Sequence, residues 1–238
     1  MWYKVKKIRV GTKIVRPETI PLNWLLWYRP LQSDLKDASW NWKDWSWYSG
    51  TGSFETVWWK TWARMTVSNT TYSLSSQHII TSLTYCQRPI SICYWIYPYT
   101  ANDNYPMIWN WDTSTSSIIL TVASNPRRIV SYLNWNSFGR YKANDYTLTL
   151  NAWNCIWFSS DANWTQWYIS WQPVASSLYD WTYPTTLVSS WLNVKIGSWQ
   201  YSGYWSKYHW VNWIMREVAI YNRVLTDAEV LQFYNNTK

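Results

Sequence analysis

Tryptophan follows asparagine at 23–24, 41–42, 110–111, 134–135, 163–164 and 212–213, and follows aspartate at 44–45 and 180–181. Asn-Gly and Asp-Gly recur in hairpins because such turns need positive φ, which glycine takes without cost and a bulky aromatic does not. Tryptophan has no comparable reason to follow Asn or Asp. The balance of the two residues points the same way: the chain has 25 Trp and 6 Gly in 238 residues, where about 7% Gly, or roughly 17, is usual. Within 37–47, Trp40, Trp42, Trp45 and Trp47 crowd a polar stretch without periodicity. With glycines there it reads as an ordinary loop.

Most of these tryptophans are therefore read as standing at glycine positions, as follows when a UGA codon decoded as glycine in the source is translated as tryptophan. The alternative is a Trp-rich protein that stacks sugars or bases on exposed indoles.

A chain of 238 residues accommodates one large β domain with a full core. No apolar run reaches the roughly 18 residues that span a bilayer, and residues 1–16 lack the apolar stretch of a signal peptide. A soluble chain without membrane insertion is expected. The formal charge is +8, and Lys4, Lys6, Lys7, Arg9, Lys13 and Arg16 all precede the first acid, Glu18. A nucleic-acid binder would spread its basic residues along a groove-facing surface, so nucleic acid is not the expected partner. Cys86, Cys93 and Cys155 are an odd number without framework spacing. Buried reduced thiols are expected, with Cys93 and Cys155 the pair to test for a bridge.

Residues 1–21 form a first unit: Val5, Ile8 and Val10 alternate among Lys and Arg, and Gly11-Thr12 turns the chain into Lys13-Ile14-Val15-Arg16 before Pro17. This predicts a small basic hairpin suited to attachment. From residue 22 to 238, strand-like runs at 91–97, 117–122, 128–133, 146–150 and 193–196 alternate with polar turns, the pattern of an all-β sandwich. Near the end, Thr226-Asp227-Ala228-Glu229 gives a capping box ahead of Val230, Leu231, Phe233 and Tyr234, which predicts one short C-terminal helix.

With Trp read as Gly, 37–47 resembles the Asp-x-Ser-Gly-Asn-Gly-x-x-Gly loop of concanavalin A-like lectin/glucanase domains of the laminin-G/pentraxin type. Ser91-Ile92-Cys93-Tyr94-Trp95-Ile96 and Leu150-Asn151-Ala152-Trp153-Asn154-Cys155-Ile156 resemble two Trp-bearing strands of that family, and Tyr168-Ile169-Ser170-Trp171 resembles its Tyr-Val-Asn-Gly hairpin. Its ending, Asn-Gly-x-Ile-x-Glu-Val-x-Ile-Tyr-Asn-Arg-x-Leu-Thr-x-x-Glu, is matched by 212–229. The resemblance covers 22–238 and implies a two-sheet antiparallel jelly-roll sandwich. It leaves Trp95 and Trp153 as genuine core tryptophans, and it sets Trp42, Trp45, Trp171 and Trp213 on glycines. Separately, Gly-Thr-Lys-Ile-Val-Arg-Pro is similar to a short N-terminal segment of phage tail and other virion-associated proteins.

Glucanases of this fold need closely paired carboxylates to flank a glycosidic bond, and the only glutamates are Glu18, Glu55, Glu217 and Glu229, none clustered. A glycoside hydrolase is thus disfavoured and no catalytic residue is expected. His78 and His209 match neither zinc nor triad spacing. The resemblance implies calcium at a sandwich rim, where Asp37, Asn41 and Asp44 are the candidate ligands, hard oxygens for a hard cation. Their other role is an Asx turn bonding its own backbone. Tyr168, Tyr201 and Tyr204 are the candidate sugar stackers, each alternatively a half-buried strand aromatic.

The expectation is a non-catalytic carbohydrate-binding or adhesion module at an extracellular or virion surface. Glycans are its expected partners, with protein partners reached through the N-terminal segment. The rival reading is a structural or decoration protein packing against partner subunits.

Overall fold

A strand that is apolar at every position must be covered on both faces, because successive side chains point to opposite sides of the sheet. The run from Ile90 to Ile96 is of this kind apart from Ser91, whose hydroxyl is bonded to that of Ser159, with Ile90, Ile92, Cys93, Tyr94, Trp95 and Ile96 all 4% exposed or less. In the computed structural model, side chains are described for 89–99, 148–161, 164–175 and 213–238 and for Ile108, Val194 and Ile196, and backbone also for the other strands named here.

In chain order the strands begin with β1 (Ile8–Val10), β2 (Lys13–Val15), β3 (Leu25–Arg29), β4 (Ser46–Tyr48), β5 (Ser53–Val57) and β6 (Lys60–Thr66). Next come β7 (His78–Ile80), β8 (Ile90–Pro98), β9 (Tyr105–Trp111), β10 (Ser116–Ala123), β11 (Arg128–Leu133) and β12 (Gly139–Ala143). They end with β13 (Asn154–Ser160), β14 (Thr165–Ile169), β15 (Gln172–Val174), β16 (Ser176–Asp180), β17 (Lys195–Gly197) and β18 (Asn212–Tyr221), followed by helix α1 (Asp227–Thr237).

Two eight-stranded antiparallel sheets form the jelly-roll sandwich. One runs β16-β12-β11-β10-β9-β17-β7-β4, and the other runs β15-β14-β13-β8-β18-β6-β5 with β3 also paired to β18. Strand β18 organises the second sheet: β8 lies along one edge, while β6 (at Asn212 to Met215) and β3 (at Val218 to Tyr221) share the other. Strands β1 and β2 pair with each other in a separate two-stranded sheet.

On the inner face of the second sheet, Ile92, Tyr94, Ile96, Ile156, Phe158, Trp167, Ile169, Met215 and Ile220 are 3% exposed or less. Registers such as Phe158 opposite Ile92 and Trp167, and Met215 opposite Ile96, keep them on one side. The outer face carries Cys93, Trp95, Cys155, Trp157, Tyr168, Ala219 and Tyr221, and α1 with its leading segment closes over it through Leu225, Val230 and Phe233. Each fully buried side chain of Phe233's kind contributes about 1.5–3 kcal/mol. The ring of Phe233 meets Trp157 edge-on at 5.5 Å.

The helix starts where the capping signal lies. Thr226 Oγ1 accepts from Glu229 N–H at 3.4 Å, and Glu229 Oε2 accepts from Thr226 N–H at 2.9 Å, satisfying two donors that a helix start leaves unpaired. Arg223 donates to both Glu229 carboxylate oxygens. That pairing and the cap bonds hold the Glu229 pKa down to about 2.

Between Arg216, opposite Trp95, and Ala219, opposite Cys93, β18 holds one residue more than β8. This is a β-bulge, with Glu217 in the left-handed region at φ 51 and 6% exposed. Residues three apart ordinarily fall on opposite faces; the extra residue puts Arg216 and Ala219 on the same one.

Two expectations are corrected. Residues 148–150 of the 146–150 run are an irregular approach to a turn rather than strand, because Asn154 takes the backbone groups of Thr149: its Oδ1 accepts from Thr149 N–H at 3.0 Å and its Nδ2 donates to Thr149 O at 2.9 Å. Trp153 is half-buried at the end of the sheet rather than enclosed in the core.

Candidate functional site

Along the outer face of β8 and just past its end, the alternation Trp95, Tyr97, Tyr99 carries aromatic rings from beneath α1 to the end of the sheet. Trp95 is 4% exposed, whereas Tyr97 and Tyr99 are half-buried. The turn that leads into β13 brings a fourth ring. Asn151 N–H donates to Pro98 O at 2.8 Å, and Asn154 Nδ2 donates to Ala152 O at 2.9 Å as well as to Thr149 O. These bonds tie the turn to the end of β8 and seat Trp153 beside Tyr97, their rings edge-to-face at 5.5 Å. Tyr97 meets Tyr99 in the same manner at 5.1 Å.

The bulge supplies the remaining member. Arg216, 7% exposed, lies with its Cζ 4.7 Å from the Trp95 ring centre and 4.6 Å from that of Trp153. A guanidinium between two indole faces is attracted by both ring quadrupoles, and more strongly where water is excluded. Trp95 is fixed further by its Nε1–H, which donates to Thr237 Oγ1 at 2.8 Å, and by stacking on Tyr234 at 5.5 Å. The row Tyr99, Tyr97, Trp153, Arg216, Trp95, Tyr234 thus runs from a half-open rim to the helix. Its rim end offers flat apolar rings and phenol hydroxyls, the combination that stacks on a sugar's C–H face and bonds its hydroxyls.

Of the residues expected to stack on sugars, Tyr168 lies beneath α1. It is 5% exposed, and its hydroxyl donates to Asp227 Oδ1 at 2.7 Å. Burial, and then that carboxylate, push its pKa well up. This corrects the expectation: Tyr168 is a core residue with no ring face open to a ligand. Tyr201 and Tyr204 lie outside the described residues, as do the expected calcium ligands Asp37, Asn41 and Asp44.

Cys93 and Cys155 are both free and buried. They sit on adjacent strands but out of register, Cys93 opposite Trp157 and Cys155 opposite Trp95. Burial raises both thiol pKa values, which keeps them protonated and inert. The carboxylates of this region have structural work: Asp227 accepts from Tyr168, Glu229 from Thr226 and Arg223, and Asp161 from Trp164 N–H.

No family model and no curated protein matches the chain by sequence, whereas many solved structures match its fold. The binding domain of botulinum neurotoxin DC in complex with SialylT superposes with a TM-score of 0.67 at 13% identity, over 92% of this chain and 52% of that one. The same toxin's binding domain in complex with rat synaptotagmin II gives 0.65 at 13% identity, over 91% and 52%. Domain 4 of AbnA, a GH43 extracellular arabinanase from Geobacillus stearothermophilus, in complex with arabinotriose, gives 0.66 at 15% identity, over 88% of this chain and 98% of that one. This chain therefore spans about half of the toxin domains and nearly all of the arabinanase domain. What these likenesses define is the fold, a two-sheet antiparallel β-sandwich.

Proposed function

We propose that the chain is a non-catalytic carbohydrate-binding module of a surface or virion-associated protein, taking its glycan at the rim formed by Tyr97, Tyr99 and Trp153. The observation that carries this reading is the half-buried run of three rings at one end of the sheet, with Trp153 held from behind by Arg216. Such a platform needs no induced ordering to receive a pyranose or furanose face. Pre-organisation of this kind lowers the cost of binding. Two similar folds in complex with SialylT and with arabinotriose support the choice of ligand class.

The basic β1–β2 hairpin is the segment through which the module attaches to a protein partner. A second reading, packing against a protein surface alone, is favoured by the similar toxin domain in complex with rat synaptotagmin II. Titration calorimetry with arabinotriose and with a sialylated oligosaccharide separates the two. The first reading expects saturable heat with at least one of these, lost in Trp153→Ala. No heat from either sugar, together with stable oligomers in solution, would favour the second.

A further inference from the structure

The β14–β15 hairpin pairs Ile169 with Gln172, so Ser170 and Trp171 are the two residues of its turn. Both have positive φ, 49 at Ser170 and 70 at Trp171. A two-residue turn with left-handed geometry at both positions is the type I′ turn, whose second position selects glycine because a Cβ there presses on the neighbouring carbonyl. Trp171 is 42% exposed, so its indole is not enclosed in the core.

The described tryptophans divide by how their surroundings receive them. Trp95 and Trp157 are buried with their indole N–H groups bonded, to Thr237 Oγ1 at 2.8 Å and Ser159 Oγ at 2.9 Å, and Trp153 stacks on Arg216. Trp213 follows Asn212 and is 4% exposed, yet its buried indole N–H has no hydrogen-bond partner. A satisfied interior rarely leaves such a donor. Trp164 follows Asn163 at the tip of the β13–β14 hairpin and is 39% exposed. Trp167 also has an unbonded N–H and, like Trp213, lies within a strand, so the donor alone does not separate the two; Trp167 packs on Phe158 at 4.9 Å, as a core residue does, and follows Gln166 rather than Asn or Asp.

We infer that Trp164, Trp171 and Trp213 occupy glycine positions, and that the protein made in its own cells carries glycine there while keeping tryptophan at 95, 153 and 157. The positive φ at Trp171, which follows Ser170, is independent of the Asn-Trp pattern to which Trp164 and Trp213 belong. The consequence for ligand binding is direct. The exposed indoles of Trp164 and Trp171 drop out as sugar platforms, and the rim of Tyr97, Tyr99 and Trp153 remains.

Peptide mass spectrometry of the protein isolated from its native source reads the residues themselves. Glycine masses at 164, 171 and 213 with tryptophan masses at 95, 153 and 157 are expected; tryptophan at 171 overturns the inference. A second measurement uses the chain as given. Trp171→Gly relieves the turn and raises Tm by roughly 2–4 °C, whereas an unchanged or lower Tm would contradict a glycine position. Neither readout depends on glycan binding.

Discussion

Arg216 holds its place by stacking, and a substitution there reports on the rim it supports. Arg216→Ala removes a guanidinium packed on both Trp95 and Trp153 and is expected to lower stability by about 2 kcal/mol. Arg216→Lys keeps the charge without the flat face and recovers only part of that; urea unfolding midpoints for the two variants check the order. Individual residues were unevenly legible in the sequence. The Ser170-Trp171 turn was legible through its likeness to a Tyr-Val-Asn-Gly hairpin, and Trp171 there has positive φ, whereas the Asn212-Trp213 dipeptide, which turn chemistry would place in a turn, opens β18. Tyr168 misled because alternation assigns a side chain to a face without saying what covers that face, and here α1 does. Arg216 gave no signal at all. The two rings it stacks on come from β8 and from the turn before β13, and its own side of the sheet depends on a bulge.

Among the elements, α1 was the most legible, since its capping box lies within four consecutive residues and the structure forms both reciprocal bonds. Glu229 makes that element sensitive to acid. Its folded pKa is lowered to about 2 from a usual 4.5, chiefly by Arg223, so its stabilisation is complete above about 4.5 and is lost as pH falls toward 2. Glu229→Gln is expected to cost about 1 kcal/mol at neutral pH. The difference between the variant and the parent should shrink across that acid window, as thermal melts at stepped pH would show. A difference that stayed constant down to pH 2 would deny Glu229 this role. The bulge in β18 was not legible. Positive φ at Glu217 carries no glycine, asparagine or proline signal, and only pairing with β8 makes the extra residue visible.

For the whole molecule, regular short strands and one late helix were enough to read an all-β sandwich, because period-2 patterning and turn residues are short-range signals. Which strands neighbour one another was not readable from patterning, since β8 pairs with β18 and β13 across long stretches of chain. The same holds for the rim, which assembles residues from 97–99, 151–154 and 216. Strands β1 and β2 form a sheet of their own, so removing residues 1–21 is expected to leave the sandwich folded with its Tm nearly unchanged and its attachment to partner protein lost. A truncated chain that fails to fold would show that the hairpin belongs to the sandwich.

The central claim is that the rim binds glycan, and a glycan array probed with the parent chain and Trp153→Ala side by side tests it most directly. Retention of the parent chain that free sugar competes away is expected, with loss of that retention in a variant that still melts cooperatively. Equal retention of both chains, or none by the parent, would contradict it.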